Sequence, residues 1–203
     1  MKILIISDTH FPSFDSPEMN SICDFDLENF SFFPETLRKK IKEADLIVHA
    51  GDFESEDIYN LFARTGKLKA VYGNRDEEAL TKKLPEKLVF EQNGLKFGVI
   101  HEAGRSLNDS TARWYILKEM EVDVLIYGHI HTPSIEEHKG KFLICPGSPT
   151  KARMSEPSVA EITLADDTAK MITEIKIIPV APAACGYLKF EENLVEKANK
   201  TKK

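Results

Sequence analysis

Five times along this chain a short, mostly apolar run stops abruptly at a polar residue able to bind metal or phosphate. The runs are residues 3–6, 46–50, 68–72, 96–100 and 122–127, and they end at Asp8 and His10, Asp52, Asn74, His101, and His129 and His131. Runs without polar alternation are buried on both faces, the pattern of strands inside an α/β sheet. Helical patterns separate several of them: 34–44, with Leu37 and Ile41 one turn apart, then 56–65, 77–83 and 108–121. Pro34 suits the first turn of its helix, and Asn108 or Asp109 is the expected cap of the last. In such sheets, sites form beyond the carboxyl ends of the strands, because loops from several strands converge there. The recurring strand-end residues therefore predict one shared site.

After residue 128 the texture changes. Residues 134–138, 141–145, 158–164 and 170–178 read as strands separated by turn residues, with Asn93-Gly94 marking an earlier hairpin between 87–91 and 96–101. No room remains for helices between the later strands, so antiparallel pairing is expected. An α/β front half and a strand-rich back half predict two packed sheets flanked by helices. With 203 residues, 42% of them hydrophobic, one domain with a full core is expected. Residues 11–33 interrupt it with six phenylalanines and five acidic residues, an irregular insertion that either packs on the body, rims the site or joins two copies in a homodimer. Residues 179–203 form a C-terminal extension whose Lys-rich end is expected to fray.

The net charge of −6 gives no support to attraction by nucleic acid or an acidic membrane, and no aromatic–basic track argues for a nuclease. Cys23, Cys145 and Cys185 are scattered and odd in number, against a disulfide framework or a thiolate zinc module. The opening apolar run is too short for a signal-peptide core or a membrane span, so a cytoplasmic chain is expected.

Four of the six histidines stand at strand ends. His49 lies inside a strand and reads as a packed structural residue, and His138 sits on a hairpin and reads as solvated. Carboxylate, imidazole and amide oxygen together suit divalent manganese, iron, cobalt, nickel or zinc better than calcium.

The ordered set Asp8-Thr9-His10, Gly51-Asp52, Gly73-Asn74-Arg75-Asp76, His101 and Gly128-His129-Ile130-His131 resembles the motifs of the calcineurin-like metallophosphoesterases, and in particular their small YfcE-type phosphodiesterase branch. The resemblance covers about residues 1–178 and includes the turn Cys145-Pro146-Gly147-Ser148. It implies a four-layer αββα sandwich of two mostly mixed sheets flanked by helices. It implies further that Asp8, His10, Asp52 and His131 bind one metal and Asp52, Asn74, His101 and His129 a second, with Asp52 bridging. Manganese is the favoured metal, with nickel, zinc, iron, cobalt or magnesium as alternatives. Two metals roughly 3.5–4 Å apart activate a bridging hydroxide for in-line attack on phosphorus, so the expectation is a phosphodiesterase acting on a small phosphate ester without a covalent enzyme intermediate. A phosphomonoesterase, or a metal-binding interaction scaffold, is the alternative.

Three departures, and the motif's Asp76, bear on the pocket. Arg75 follows the motif asparagine where larger relatives have His and the small branch commonly has Cys; it offers a fixed cationic fork for phosphate but no practical proton donor. Asp76 is placed to orient a histidine or Arg75, and Glu102 adds negative charge beside His101. Cys145 replaces the common Asn. The catalytic group expected is thus Asp52, Asn74, His101, Arg75 and Asp76, with Arg105, Arg113 and Arg153 as candidate contacts for the non-reacting part of a diester.

Overall fold

Strand β1 (Lys2–Ile6) splits its side chains between two cores, and the rest of the architecture follows from that division. Ile3 and Ile5 face a second sheet, whereas Leu4 and Ile6 face helices. The computed structural model describes residues 1–11, 33–104, 109–165 and 171–182, so the expectations for the 11–33 insertion beyond Phe11 and Phe33, and for the tail beyond residue 182, lie outside the described residues.

The first sheet has the order β10-β9-β1-β2-β3, with β2 spanning Leu46–His49, β3 Leu68–Ala70, β9 Ser158–Leu164 and β10 Ile172–Pro179. Strands β1, β2 and β3 run parallel; β9 is antiparallel to β1, and β10 to β9. The second sheet has the order β4-β5-β6-β8-β7, built from Lys87–Gln92, Leu95–Ile100, Val124–Tyr127, Lys141–Cys145 and Ser134–His138 respectively. Here β5, β6 and β8 are parallel, with β4 and β7 antiparallel on the two edges. The antiparallel pairing expected among the back-half strands holds for β7 with β8 and for β9 with β10, while β8 also joins front-half β6 in parallel. Strand β7 takes the sheet edge, and the chain turns back between β7 and β6, so β8 lies parallel to β6 without needing a helical crossover.

Between the sheets lies an apolar layer that includes Ile3, Ile5, Val48, Val99, Val124, Ile126, Ile144 and Ile162, all fully buried. Full burial of one such side chain is worth about 1.5–3 kcal/mol. Helices α1 (Glu35–Glu43) and α2 (Glu56–Ala63) cover the outer face of the first sheet, laying Leu37, Ile41, Ile58 and Phe62 on Leu4, Ile6 and Ile47. Short helix α3 (Glu78–Lys83) adds Leu80 to the same cluster. Helix α4 (Ser110–Glu119) covers the second sheet, with Leu117 and Trp114 on Leu125, Tyr127 and Leu143. The result is the αββα sandwich, two mixed sheets each flanked by helices. Pro34 stands one place earlier than expected, at the N-cap of α1; Asp109 occupies that position on α4 but makes no side-chain capping bond, and Asn108 lies outside the described residues. Among the described residues no helix is long and apolar enough to cross a membrane.

Candidate metal centre

Parallel β1, β2 and β3 in one sheet and parallel β5 and β6 in the other bring five strand ends to one edge of the sandwich. The backbone leaves three of them by the same device. Asp8 (φ 58°) and His10 (φ 48°), Asp52 (φ 60°) and Glu54 (φ 77°), and His129 (φ 71°) and His131 (φ 60°) all occupy the left-handed region at alternate positions. Non-glycine residues seldom do so, and they cluster where function over-determines the backbone. The loops brace one another: Asp8 N–H donates to Gly51 O (2.9 Å), His10 N–H to Asp52 O (3.1 Å), and His129 N–H to the Asp8 carboxylate (3.0 Å). The approach is close enough to require glycine. A Cβ on Gly128 would collide with the Ser7 hydroxyl, and one on Gly73 with the Asp52 carboxylate.

All seven predicted ligands meet at this edge. Asp8, His10 and His131 form one compact group, and Asp8, Asp52 and His101 another, the donor atoms within each lying within 4.8 Å of one another. His131 Nε2 is 3.1 Å from Asp8 Oδ1, and His10 Nε2 is 3.6 Å from Asp52 Oδ2. His101 Nε2 is 3.3 Å from that same Asp52 oxygen. Asn74 Oδ1 closes the ring, 3.1 Å from His101 Nε2 and 2.9 Å from His129 Nδ1. Asp8 is thus common to the two compact groups, while Asp52 reaches from His10 to His101.

The donor set fits divalent cations on its own geometry. His131 Nδ1 donates to Lys151 O (2.6 Å), His101 Nδ1 to Ala50 O (2.7 Å), and His10 Nδ1 to Glu54 Oε1 (2.9 Å). Partners on the outer nitrogen of this kind fix the tautomer and aim the other nitrogen's lone pair inward. As a result His10 and His131 present Nε2 atoms to each other at 3.0 Å, a contact that requires a cation or a proton between them. Electrostatics say the same. Burial opposes charge on His101, but the hydrogen bond it donates to Asp52 and the nearby Asp8 and Asp52 charges push it up to about 9. Burial likewise opposes the Asp8 carboxylate, yet His10, His131 and His101 hold it far below the ordinary range. In the metal-free protein, protons on imidazole fill the place that a metal's charge would take.

His49 stays outside this cluster, as its position inside β2 predicts. It stacks on Phe53 at 3.6 Å, accepts from Gly51 N–H, and burial pushes it down to about 3, so it is a neutral packing residue. Arg113 is the clearest surprise. The sequence offered it as a substrate contact, but it is fully buried beneath α4, donating from Nε to Ala103 O and covering the Tyr127 ring at 4.7 Å. Arg105 lies outside the described residues. Asp76 also departs from its expected role. Its carboxylate accepts from Gly73 N–H, Glu54 N–H and Asp52 N–H, so it sets the loop backbones under the site and touches neither a histidine nor the Arg75 side chain.

The ligands floor a cavity of about 330 Å³ whose wall carries Arg75, Lys151 and Arg153 with a single added carboxylate, Glu54. A smaller cavity of about 130 Å³ shares Asn74 with it and is lined by His101, Glu102, Tyr72 and Glu86. Glu54 and Lys151 were not singled out from sequence, and Ser148 was named only as part of the turn motif. Ser148 ties the turn after β8 to the site by donating to Asp8 O at 2.7 Å, across 140 positions of chain, a pairing that no local pattern announces.

Known proteins give the same frame. Residues 1–167 match the calcineurin-like phosphoesterase superfamily domain. A probable metallophosphoesterase of Methanothermobacter thermautotrophicus is 33% identical over 94% of this chain and 99% of its own length. A probable metallophosphoesterase of Methanocaldococcus jannaschii is 34% identical over 89% and 82% respectively. Among solved structures, a novel archaeal phosphodiesterase superposes with a TM-score of 0.60 at 25% identity, over 88% of this chain and 99% of that one. The folded sandwich, its clustered ligands and these matches agree: the chain belongs to the calcineurin-like phosphoesterase superfamily.

Proposed function

We propose that the protein is a dinuclear-metal phosphodiesterase in which Asp8, His10, Asp52 and His131 hold one metal and Asp52, Asn74, His101 and His129 the other, manganese being favoured. The observation that carries the diester reading is the pair of cavities meeting at Asn74. Proposed ligands line both cavities, so a phosphate held by the cluster has two spaces for substituents, and a diester has two. The relationship to the archaeal phosphodiesterase points the same way.

When bound, a metal pair would lower the pKa of a water ligand and stabilise charge growing on phosphate oxygens. The chain's own groups do the rest. Glu54, Ala50 O and Lys151 O orient the imidazoles of His10, His101 and His131. Arg75 N–H donates to Asp52 Oδ1 at 2.8 Å, leaving Oδ2 toward the histidines, and the Arg75 guanidinium on the cavity wall can fork onto non-reacting phosphate oxygens. Because that guanidinium holds its proton, it binds the phosphate without protonating the leaving group. Esters with acidic leaving groups are therefore the better substrates.

The test compares bis(4-nitrophenyl) phosphate with 4-nitrophenyl phosphate on manganese-loaded protein. The account expects the higher kcat/KM on the diester. Equal or reversed values identify a monoesterase, and a metal-loaded protein inactive on both is a scaffold.

A further inference from the structure

We infer that the preferred diester carries a second anionic group, a phosphate, on the arm that enters the larger cavity, and that Arg153 and Lys151 read it. This rests on the phosphodiesterase reading and names its substrate class. In a chain of net charge −6, three cations from two separate loops line this one cavity. Lys151 is shared with Glu54, 3.5 Å away, while the Arg75 and Arg153 side chains are exposed on the wall. A diester phosphate has one negative charge, and the metal cluster with Arg75 already faces it. The remaining cations thus exceed what the reacting group needs.

Position separates these cations from ordinary solubilising charge. The segment that carries Lys151 and Arg153 is fastened to the ligand loops from several directions. Ser148 Oγ donates to Asp8 O and accepts from Lys151 N–H at 2.8 Å, and Thr150 Oγ1 donates to Thr9 O at 2.7 Å. Lys151 O receives His131 Nδ1–H, Arg153 N–H donates to His131 O at 3.4 Å, and Thr132 Oγ1 donates to Arg153 O at 3.0 Å. The cationic loop therefore has a fixed place relative to the metal cluster, which lowers the entropic cost of holding an anion there. The smaller cavity decides the direction. Glu86 and Glu102 line it, so a second anion is disfavoured there and the uncharged leaving arm takes that side.

The experiment uses two esters that differ by one phosphate: thymidine 5′-(4-nitrophenyl phosphate) with and without a 3′-phosphate, cleaved by the manganese-loaded full chain. The expected ratio of kcat/KM values favours the 3′-phosphorylated ester by about tenfold, residing in KM and shrinking as salt rises. In the double variant Arg153→Gln, Lys151→Gln the ratio falls toward one, with metal content per chain unchanged. Calorimetric binding of thymidine 3′,5′-bisphosphate and thymidine 5′-monophosphate supplies a readout independent of turnover, the bisphosphate binding more tightly. Cleavage of both esters at equal efficiency, equal affinity for the two nucleotides, or a preference that survives in the double variant overturns the second-anion site and leaves the phosphodiesterase reading standing. Cleavage of neither ester with tighter binding of the bisphosphate does the reverse.

Discussion

The middle of the sandwich and its ligand edge are built from the same strands and are equally buried, yet their chemistry is opposite. Ile5, Val48 and Val99 are fully enclosed between the sheets, and a few residues further along the chain Asp8, Asp52 and His101 are at most 3% exposed. Burial of the first group removes apolar surface from water and stabilises the fold. Burial of the second costs desolvation free energy unless every charge is compensated, which here means imidazolium in the metal-free protein and metal in the loaded one. Stability is concentrated in one region and reactivity in the other, joined by strand ends whose backbone is held in left-handed geometry. The two should be separable by mutation.

The largest expected effect is at the ligand edge. Asp52→Ala should lower metal-dependent turnover by more than the roughly 10–100-fold typical of outer partners of a metal site, while circular dichroism shows the fold retained. A variant with wild-type metal content would reject the shared role given to Asp52. In the middle of the sandwich, Ile126→Ala should cost about 2–5 kcal/mol in urea unfolding, with metal content per chain unaltered; loss of metal as well would show that the two regions are coupled. Next comes the boundary between them. Glu54→Gln should weaken metal affinity or activity by roughly 10–100-fold through misorientation of His10, a smaller change than loss of a ligand.

The smallest effect lies away from both regions. Glu161 is buried on the first sheet and meets Lys40 at 3.0 Å and Lys176 at 3.1 Å. Burial opposes its charge, but these lysines hold its carboxyl below the usual range. A depressed carboxylate contributes stability above the unfolded-state value of about 4.3 and loses it as pH falls through the folded value. Glu161→Gln should therefore cost about 1–2 kcal/mol at neutral pH. The unfolding curves of variant and wild type should converge in acid, and a difference that grows there would refute the ion-pair account.

What could be read in advance follows from the range of the forces involved. Strand positions and the ligands at their ends were legible because burial periodicity and strand termination are local signals, and they pointed to Asp8, His10, Asp52, Asn74, His101, His129 and His131 together. Strand β3 proved shorter than its apolar run, since it is a sheet edge and the chain leaves the ladder after Ala70 toward Asn74. Arg113 was misread because charge usually marks a surface; only the fold reveals the Ala103 carbonyl and the Tyr127 ring that compensate it. Glu54 and Lys151 were missed for a related reason. Their roles depend on His10 and His131, 44 and 20 positions away, and no periodicity encodes such partners.

The central claim is that this edge holds two metals at once, and elemental analysis of manganese-reconstituted protein coupled to diesterase activity tests it most directly. The account predicts two ions per chain, with activity rising as the second binds and both falling together in Asp52→Ala. Full activity with a single ion per chain would contradict it.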